Sequence, residues 1–305
     1  MAVNLSAPIA AELKPVKGIR LATASAGIKK PGRQDVVLIE LAPGSHTAGV
    51  YTRNAFCAAP VLVARQHQTQ STTRFLLINS GNANAGTGDA GLVAAKACCE
   101  AVAKIGQCDA KTVLPFSTGV IGQPLPVDKI TSVLPEAFNQ LQADNWLNAA
   151  HAIMTTDTIP KARSVELSLN GQQITLTGIA KGSGMIRPDM ATMLSYIATD
   201  AAISTSVLQA MLEISMEQSF NSITVDGDTS TNDACILMAT GQAANPLIDD
   251  INAADAQQFL TALNELSRFL AQAIVRDGEG ATKFISIDVQ QGADVDECQQ
   301  VAYTI

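Results

Sequence analysis

Short apolar runs alternate with longer amphipathic runs along the chain, a pattern that predicts strands mixed with helices. Four short runs have the length and the β-branched or aromatic content of strands, at residues 36–41, 48–52, 75–79 and 112–116. Four longer runs repeat their apolar residues at helical spacing, at residues 90–105, 128–141, 204–220 and 254–275. The third of these helices has Ser204 or Thr205 as its predicted N-cap.

Residues 165–178 predict a β-hairpin, because two alternating runs flank Asn170-Gly171, the strongest short signal for a hairpin turn. Further strands are predicted at residues 192–198 and 283–289. Since a hairpin is antiparallel and helices separate the other strands, the sheet structure is not expected to be purely parallel. The chain has no repeat, low-complexity tract or obvious linker, so we expect one folded unit.

The last residues place apolar side chains at helical spacing, at Val295, Cys298, Val301, Ala302 and Ile305. This predicted helix ends without the Gly, Asn or basic residue that commonly terminates a helix. We therefore expect the chain to be part of a longer protein, in which a following segment covers this apolar stripe.

Composition and charge narrow the classes of function. Of 305 residues, 47% are apolar and 16% are charged, which favours a large buried core over disorder. The formal net charge of −8 argues against binding nucleic acid or an anionic membrane surface. The chain has no apolar run of the roughly 20 residues that a membrane span needs, and its first residues have neither the basic start nor the apolar run expected of a signal peptide. A binding site for a small molecule, with a few cations near it, is the class of site that these observations leave open.

Cysteines and histidines suggest no metal site. The six cysteines contain no C-x-x-C pair, and we expect buried, reduced thiols in a cytosolic protein. The three histidines are scattered, so each is expected to be structural rather than a metal ligand or a member of a catalytic triad.

Two loops match ligand-binding motifs only in part. Residues 86–91 fit the G-x-G-x-x-G pattern of dinucleotide-binding folds, but Asp89 inside the loop would repel a pyrophosphate, which favours an ordinary turn. Residues 226–233 alternate oxygen-bearing side chains like a calcium loop, but Thr231 and Leu237 stand where that loop needs Gly and Glu. They form either a polar turn lining a site or a purely structural turn.

Residues 178–200 hold the strongest candidate for chemistry, because a Gly-rich turn with Lys181 precedes a predicted strand that opens on Thr192. A hydroxyl nucleophile needs a base, and the chain offers no well-placed histidine. Cleavage between Ala191 and Thr192 would free an α-amino group with a pKa of roughly 7.7–8.0, close to the pH at which a general base works best. Threonine paired with its own N-terminal amine is an established nucleophile-base pair.

Six motifs are spread along nearly the whole chain: NSGNANAGTG at 79–88, STGVIG at 117–122, MTTDTIPK at 154–161, GIAKGSGMIRPDMATML at 178–194, NSITVDGDTSTND at 221–233 and DGEGATK at 277–283. In this combination the sequence resembles the ornithine acetyltransferase / glutamate N-acetyltransferase family of arginine biosynthesis. Members of that family are self-cleaving enzymes related in style to N-terminal-nucleophile hydrolases. The family continues through a further C-terminal segment that reaches into the substrate site, and this segment is absent here.

The resemblance implies catalytic roles at matching positions. Thr192 is implied as the nucleophile, with autolysis between Ala191 and Thr192. Thr118, through its side chain, and Gly119, through its backbone N–H, are implied as the oxyanion hole. A glycine suits this role because it lets a backbone N–H face the developing negative charge.

The resemblance also implies four substrate-binding residues, namely Thr155, Lys181, Thr192 and Glu279. The charges suit an amino-acid substrate. A carboxylate needs a cation such as Lys181, and the side-chain ammonium of ornithine needs an anion such as Glu279.

The implied reaction is ping-pong transfer of an acetyl group from N2-acetyl-L-ornithine to L-glutamate through an acetyl-threonine intermediate, with no metal or other cofactor. Some members also use acetyl-CoA, and the sequence leaves this donor open. The implied fold is α+β, with N-terminal-nucleophile-like stacked sheets flanked by helices. Cleavage would give an alpha-chain segment, 1–191, and a beta-chain segment, 192–305, which together form one catalytic unit. Two alpha and two beta chains are implied to pair as a heterotetramer in the cytoplasm.

Three other interpretations stay open. The first is an N-terminal-nucleophile aminopeptidase or amidase of the same architecture, in which water accepts the acyl group. The second is a nucleotide-binding dehydrogenase that uses residues 86–91. The third is a non-catalytic binding protein, whose chain would remain uncut.

Overall fold

The computed structural model describes residues 2–187 and 193–305, and within these residues the strands form two sheets. In spatial order, the first sheet contains β1 (Ile19–Ala24), β2 (Val36–Leu41), β4 (Phe75–Asn82) and β5 (Val113–Val120). The second contains β3 (His46–Tyr51), β9 (Ala234–Ala239), β8 (Leu194–Thr199), β7 (Gln172–Lys181) and β6 (Lys161–Leu169). The pairs β4/β5 and β8/β9 are parallel, and the other neighbouring pairs are antiparallel.

The described residues include seven α-helices, some of which cover the outer faces of the two sheets. Their bounds are α1 (Ala59–Gln70), α2 (Gly88–Gly106), α3 (Val127–Asn139), α4 (Trp146–Ala152), α5 (Thr205–Glu217), α6 (Ala254–Arg276) and α7 (Val295–Thr304). The helices α2 and α3 pack on the first sheet, whereas α5 and α6 pack on the second. Within the described ranges, no helix has the length and apolar character needed to cross a bilayer.

The two sheets stack face to face around an aliphatic core. Leu76 and Ile78 of β4 join this central layer, whereas Leu77 faces the helices on the other side of its sheet. Phe116 of β5 meets Tyr196 of β8 edge to face across the layer, with ring centroids 5.3 Å apart. Both faces of these strands are therefore buried, which explains why their sequences are almost continuously apolar. The predicted stacked sheets flanked by helices are confirmed.

The predicted hairpin is present between β6 and β7. Asn170 and Gly171 have φ angles of 50° and 79°, the left-handed values that a tight two-residue hairpin turn requires at both positions. Leu169 pairs with Gln172 directly across the turn. This turn fixes the register that carries Lys181 to the far end of β7.

The strand predicted at residues 283–289 is wrong. The segment forms no ladder with any described strand, and Ile285 and Ile287 are 72% and 46% exposed. Alternation of apolar and polar residues is necessary for a half-buried strand, but a strand also needs a neighbour to hydrogen-bond.

The predicted final helix is present as α7. The carboxylate of Asp294 accepts a hydrogen bond of 2.8 Å from the backbone N–H of Glu297, so Asp294 is its N-cap. The phenolic hydroxyl of Tyr303 donates to the carbonyl of Asn221 at 2.6 Å, which attaches the helix to the segment before β9. Val295 and Ile305, from the predicted apolar stripe, are exposed in this structure.

All six cysteines are free thiols, but the prediction that they are buried is only partly correct. Cys98, Cys99 and Cys235 are buried, and burial raises the pKa of Cys98 and Cys235 to about 12, which makes these thiols unreactive. Half-buried positions are occupied by Cys57, Cys108 and Cys298. Cys57 lies in a loop, Cys108 lies just after α2, and Cys298 lies in the exposed α7, so no sheet covers these three residues.

Candidate active site

A crevice of about 800 Å³ opens where the carboxyl ends of β4 and β5 meet the end of β7. It is lined by five of the residues predicted to act on the substrate, namely Thr118, Gly119, Thr155, Lys181 and Glu279. The sixth, Thr192, and the predicted cleavage position after Ala191 lie outside the described residues. The structure thus brings together every predicted site residue that it describes.

The predicted oxyanion hole lies at the end of a parallel strand pair. Gly119 stands opposite Gly81 in the β4/β5 register and has a φ angle of 132°. A Cβ atom at Gly119 would lie 2.3 Å from the carbonyl carbon of Gly81, so only glycine fits. Thr118 is buried beside it, and the hydroxyl of Ser117 donates to the side-chain oxygen of Asn79 at 2.6 Å. The strand ends that carry Thr118 and Gly119 are therefore rigidly joined.

The polar segment 226–233 lines the crevice, which agrees with one of its two predicted interpretations. Asp226 accepts hydrogen bonds from the backbone N–H groups of Met185 and Ile186, so it closes the turn that follows Lys181. At the other end, the side-chain amide of Asn232 donates to the carbonyl of Ser117 at 2.9 Å. The segment therefore bridges the two sheets at the crevice.

A buried group of three charged side chains lies behind the crevice. The Nζ atom of Lys161 is 2.6 Å from Oδ1 of Asp157 and 2.7 Å from Oδ2 of Asp277, and none of the three side chains is more than 1% exposed. Asp157 also accepts hydrogen bonds from the backbone N–H groups of Gly182 (2.7 Å) and Thr155 (3.0 Å). This buried triad therefore fixes two segments that line the crevice.

The same triad positions Glu279. The carbonyl of Asp277 accepts a hydrogen bond of 2.6 Å from the Ser183 hydroxyl, and the carbonyl of Ser183 accepts one of 2.8 Å from the backbone N–H of Glu279. A Cβ atom at Gly184 would lie 2.7 Å from the carboxylate carbon of Glu279. The Glu279 carboxylate thus rests against Gly184, and a side chain at residue 184 would push it out of this position.

Sequence analysis missed the structural role of Asp157, Lys161 and Asp277. All three lie inside the motifs MTTDTIPK and DGEGATK, but nothing in those letters shows that they pair. Lys161 and Asp277 are 116 positions apart in the chain. Charged residues are mostly exposed in proteins, so the sequence carries no local signal that these three are buried.

The amine of Lys181 lies in a desolvated environment. Burial lowers the pKa of its amine, and the carboxylates of Asp157 and Asp233 oppose that shift. Burial likewise raises the pKa of Asp157, but the charges of Lys161 and Lys181 and the hydrogen bonds to the carboxylate outweigh it, so the net pKa is lowered. An anionic group that enters the crevice would therefore meet an amine with little hydration to lose.

The rim of the crevice carries both signs of charge. Lys29, Lys30 and Arg33 line it together with Asp228 and Glu279. Local cations therefore line this crevice although the net charge of the chain is −8, and an anionic group of a small molecule needs such cations. Within residues 2–187 and 193–305, the structure holds no cluster of three or more His, Cys, Asp or Glu side chains suited to a metal ion.

The G-x-G-x-x-G segment is an ordinary turn into α2. The side-chain amide of Asn84 donates to the carbonyl of Gly91 at 2.9 Å, and the Thr87 hydroxyl donates to the side-chain oxygen of Asn84 at 3.0 Å. These bonds close the loop on itself, and residues 86–91 do not line the crevice. The structure therefore gives no support to a dinucleotide-binding dehydrogenase.

Stacked sheets between helices, with a crevice at the strand ends, define the fold class. The l-aminopeptidase D-Ala-esterase/amidase from Ochrobactrum anthropi is described as a variant among the Ntn hydrolase fold. It is similar to this chain with a TM-score of 0.50 over 90% of this chain and 88% of that chain, at 10% identity. At this identity the similarity concerns the fold alone.

Sequence similarity is far closer to one family. The sequence profile of the ArgJ family matches residues 20–305. The arginine biosynthesis bifunctional protein ArgJ of Pseudomonas syringae pv. tomato is 55% identical over the whole chain, which covers 75% of that protein. The protein of the same name from Methylococcus capsulatus is 56% identical over 96% of this chain and 71% of its own length. The chain therefore belongs to the ArgJ family of arginine biosynthesis, and it is shorter than these relatives.

Two solved structures of relatives agree with this membership. The arginine biosynthesis bifunctional protein ArgJ from Bacillus halodurans is 32% identical with a TM-score of 0.55, and the match covers 63% of this chain and 97% of that chain. The ornithine acetyltransferase from Mycobacterium tuberculosis, solved in complex with ornithine, is 39% identical with a TM-score of 0.53. That match covers 58% of this chain and 94% of the other.

Proposed function

We propose that this protein transfers the acetyl group of N2-acetyl-L-ornithine to L-glutamate through an acetyl ester on Thr192. The observation that carries the proposal is the crevice, where separate parts of the chain supply Thr118, Gly119, Thr155, Lys181 and Glu279. These groups include a hydroxyl, a cation and an anion, as an acylated amino acid with a charged side chain requires. The ornithine complex of the Mycobacterium tuberculosis relative supports this class of ligand.

In the proposed first half-reaction, the Thr192 hydroxyl attacks the acetyl carbonyl and gives its proton to the α-amine of the same residue. Thr118 and Gly119 donate hydrogen bonds to the resulting oxyanion. The C–N bond then breaks, and the leaving N2 nitrogen of ornithine takes up the proton from the amine. In the second half-reaction the amine of glutamate attacks the acetyl ester, and the Thr192 hydroxyl is restored. Because both halves use the same groups, no metal or cofactor enters the scheme.

Self-cleavage is the second part of the proposal. Cleavage between Ala191 and Thr192 gives segments 1–191 and 192–305, which together form one catalytic unit. The Bacillus halodurans relative supports this division, since 63% of this chain, about the share that precedes Thr192, covers 97% of that chain. We propose further that two alpha and two beta chains assemble as a heterotetramer in the cytoplasm.

The experiment that tests the proposed reaction compares two acceptors. Purified protein with N2-acetyl-L-ornithine should form N-acetyl-L-glutamate when glutamate is present, at a rate far above that of acetate formation. Release of acetate at the same rate with and without glutamate would instead identify an amidase of the same architecture. Replacing the donor with acetyl-CoA in the same assay decides whether that thioester is a second acetyl source.

Removal of the Thr118 hydroxyl is expected to lower the rate of acetyl transfer about 100-fold or more, because one donor to the oxyanion is lost. The substitution Thr118→Ala should change kcat much more than KM, since the bond strengthens only in the transition state. Thr118→Ser keeps the hydroxyl and should retain most of the rate. Equal activity of the alanine and serine variants would show that Thr118 is not an oxyanion donor.

Glu279→Gln is expected to weaken use of N2-acetylornithine about 10-fold to 100-fold in kcat/KM, because a charge-assisted hydrogen bond to the ammonium group is lost. The effect should be much smaller with N2-acetylnorvaline, which lacks that ammonium group. Glu265→Gln, at a solvent-exposed carboxylate paired with Arg163, is the matched control and should change neither substrate. The same loss for both substrates would contradict the role of Glu279.

A further inference from the structure

Asp233 is a buried carboxyl next to the crevice, immediately before β9. It is 2% exposed, and its Oδ2 atom has no hydrogen-bond partner within the part of the chain that the structure describes. A buried carboxyl oxygen without a partner is costly, so its presence needs an explanation, and a role in catalysis is one such explanation. The mechanism proposed above for acetyl transfer gives Asp233 no role.

Strand pairing places Asp233, which precedes β9, beside the first residues of the neighbouring strand β8. The backbone N–H of Ala234 donates to the carbonyl of Met193 at 3.1 Å, and Leu194 pairs with Ala234 on one side and with Lys181 on the other. The backbone N–H of Met193 is one of the hydrogen-bond donors to the Asp233 carboxyl. That nitrogen is covalently joined to Thr192, the proposed nucleophile, through one peptide bond.

The Asp233 segment is also attached to the predicted oxyanion hole. The side-chain amide of Asn232 donates to the carbonyls of Ala83 and Ser117, at 2.6 and 2.9 Å, and Ser117 directly precedes Thr118. On the other side, the carbonyl of Asp233 accepts a hydrogen bond of 3.0 Å from the backbone N–H of Thr52. Hydrogen bonds on both sides therefore hold residues 232 and 233 in place.

Self-cleavage needs a base that acetyl transfer does not. Before the chain is cut, the nitrogen of Thr192 is part of a peptide bond and cannot accept a proton, so the α-amine is not available. Asp233 and Lys181 lie close enough in this buried region for each charge to act on the other. Burial raises the pKa of Asp233 and lowers the pKa of Lys181, and the attraction between the two groups opposes both shifts. A buried carboxyl with a raised pKa is a better proton acceptor than an exposed one, so it can take a proton from a hydroxyl and later return it.

We infer that Asp233 is the proton-transfer group of self-cleavage, an inference that rests on the proposed function. The Thr192 hydroxyl oxygen bonds to the carbonyl carbon of Ala191, and its proton passes to the Asp233 carboxylate. The bond between that carbon and the Thr192 nitrogen then breaks, and the proton passes from Asp233 to the nitrogen, which leaves an ester. Water hydrolyses the ester, so that Ala191 ends as a carboxylate, the hydroxyl is restored, and the released proton charges the new α-amine beside Asp233.

The test follows the appearance of the two fragments with time after cell-free synthesis of the chain. Asp233→Asn has the same shape without the acid group, and it should slow cleavage about 100-fold or more. Asp233→Glu keeps the acid on a longer side chain and should cleave faster than Asp233→Asn. Asp200→Asn, another buried carboxyl at the opposite end of β8, is the matched control and should cleave at the unaltered rate.

The order of the two variants separates chemistry from packing. If Asp233 only supports the fold, the larger Glu should fit worse than Asn, so cleavage by Asp233→Asn that equals or exceeds that of Asp233→Glu would overturn the inference. Cleavage of Asp233→Asn at the unaltered rate would overturn it as well, while the proposed function would stand. If the unaltered chain is not cut between Ala191 and Thr192, both the proposed function and this inference fail.

Discussion

Replacing Thr192 by alanine is expected to give one uncut chain with no measurable acetyl transfer. The hydroxyl of this residue is the proposed nucleophile for two reactions, the attack on the Ala191 carbonyl and the attack on the acetyl group. Without cleavage the α-amine is also absent, so the base for acetyl transfer is lost together with the nucleophile. A denaturing gel with intact-mass measurement reports the cleavage, and the glutamate acetylation assay reports the transfer.

Thr192→Ser is the control for this substitution, because it keeps the hydroxyl and removes only a methyl group. It should be cut and should retain part of the activity. Processing of a full-length Thr192→Ala chain at the same peptide bond would exclude Thr192 as the nucleophile of cleavage. Acetyl transfer by that variant would exclude it as the nucleophile of turnover.

Lys161→Met is expected to have the largest effect on stability, a loss of about 3–5 kcal/mol in the free energy of unfolding. The substitution removes the cation between two buried carboxylates, Asp157 and Asp277, and leaves them unpaired next to each other. Methionine fills a similar volume, so the loss reports mainly the missing charge. Urea unfolding followed by circular dichroism measures the effect.

An exposed ion pair provides the comparison. Arg20 is bonded to Glu40 at the edge of the first sheet, and its side chain is half exposed to solvent. Arg20→Gln should therefore cost less than about 1 kcal/mol. If Lys161→Met were no more destabilising than Arg20→Gln, the buried triad would not be what fixes the segments carrying Thr155 and Glu279.

The sequence predicted the fold best where local signals agree with packing. The Asn170-Gly171 turn, the apolar runs of β2 and β4 and the long helix α6 each carry their signal within a short window. Elements without such a signal were not predicted. Strand β1 mixes polar and apolar residues, α4 has only seven residues, and β9 is a buried strand whose apolar run also fits a helix.

The site could be predicted only as a set of separate positions. Motif spacing shows where Thr118, Lys181 and Glu279 stand in the chain, but their proximity depends on how the two sheets stack. The carboxyl ends of β4 and β5 face the beginning of β8, and no local pattern encodes that arrangement. The sequence also does not show the interactions that hold the site, such as the ion pair between Lys161 and Asp277, because they too depend on which distant segments meet in the fold.

The measurement that tests the central claim most directly is the mass spectrum of the enzyme trapped during turnover. Protein incubated with N2-acetylornithine in the absence of glutamate is quenched in acid and digested. The account predicts a peptide that begins at Thr192 and carries one acetyl group, which is removed by hydroxylamine as an ester is and lost when glutamate is added before the quench. A peptide that runs uncut through Ala191 and Thr192, or an acetyl group on another residue, would contradict it.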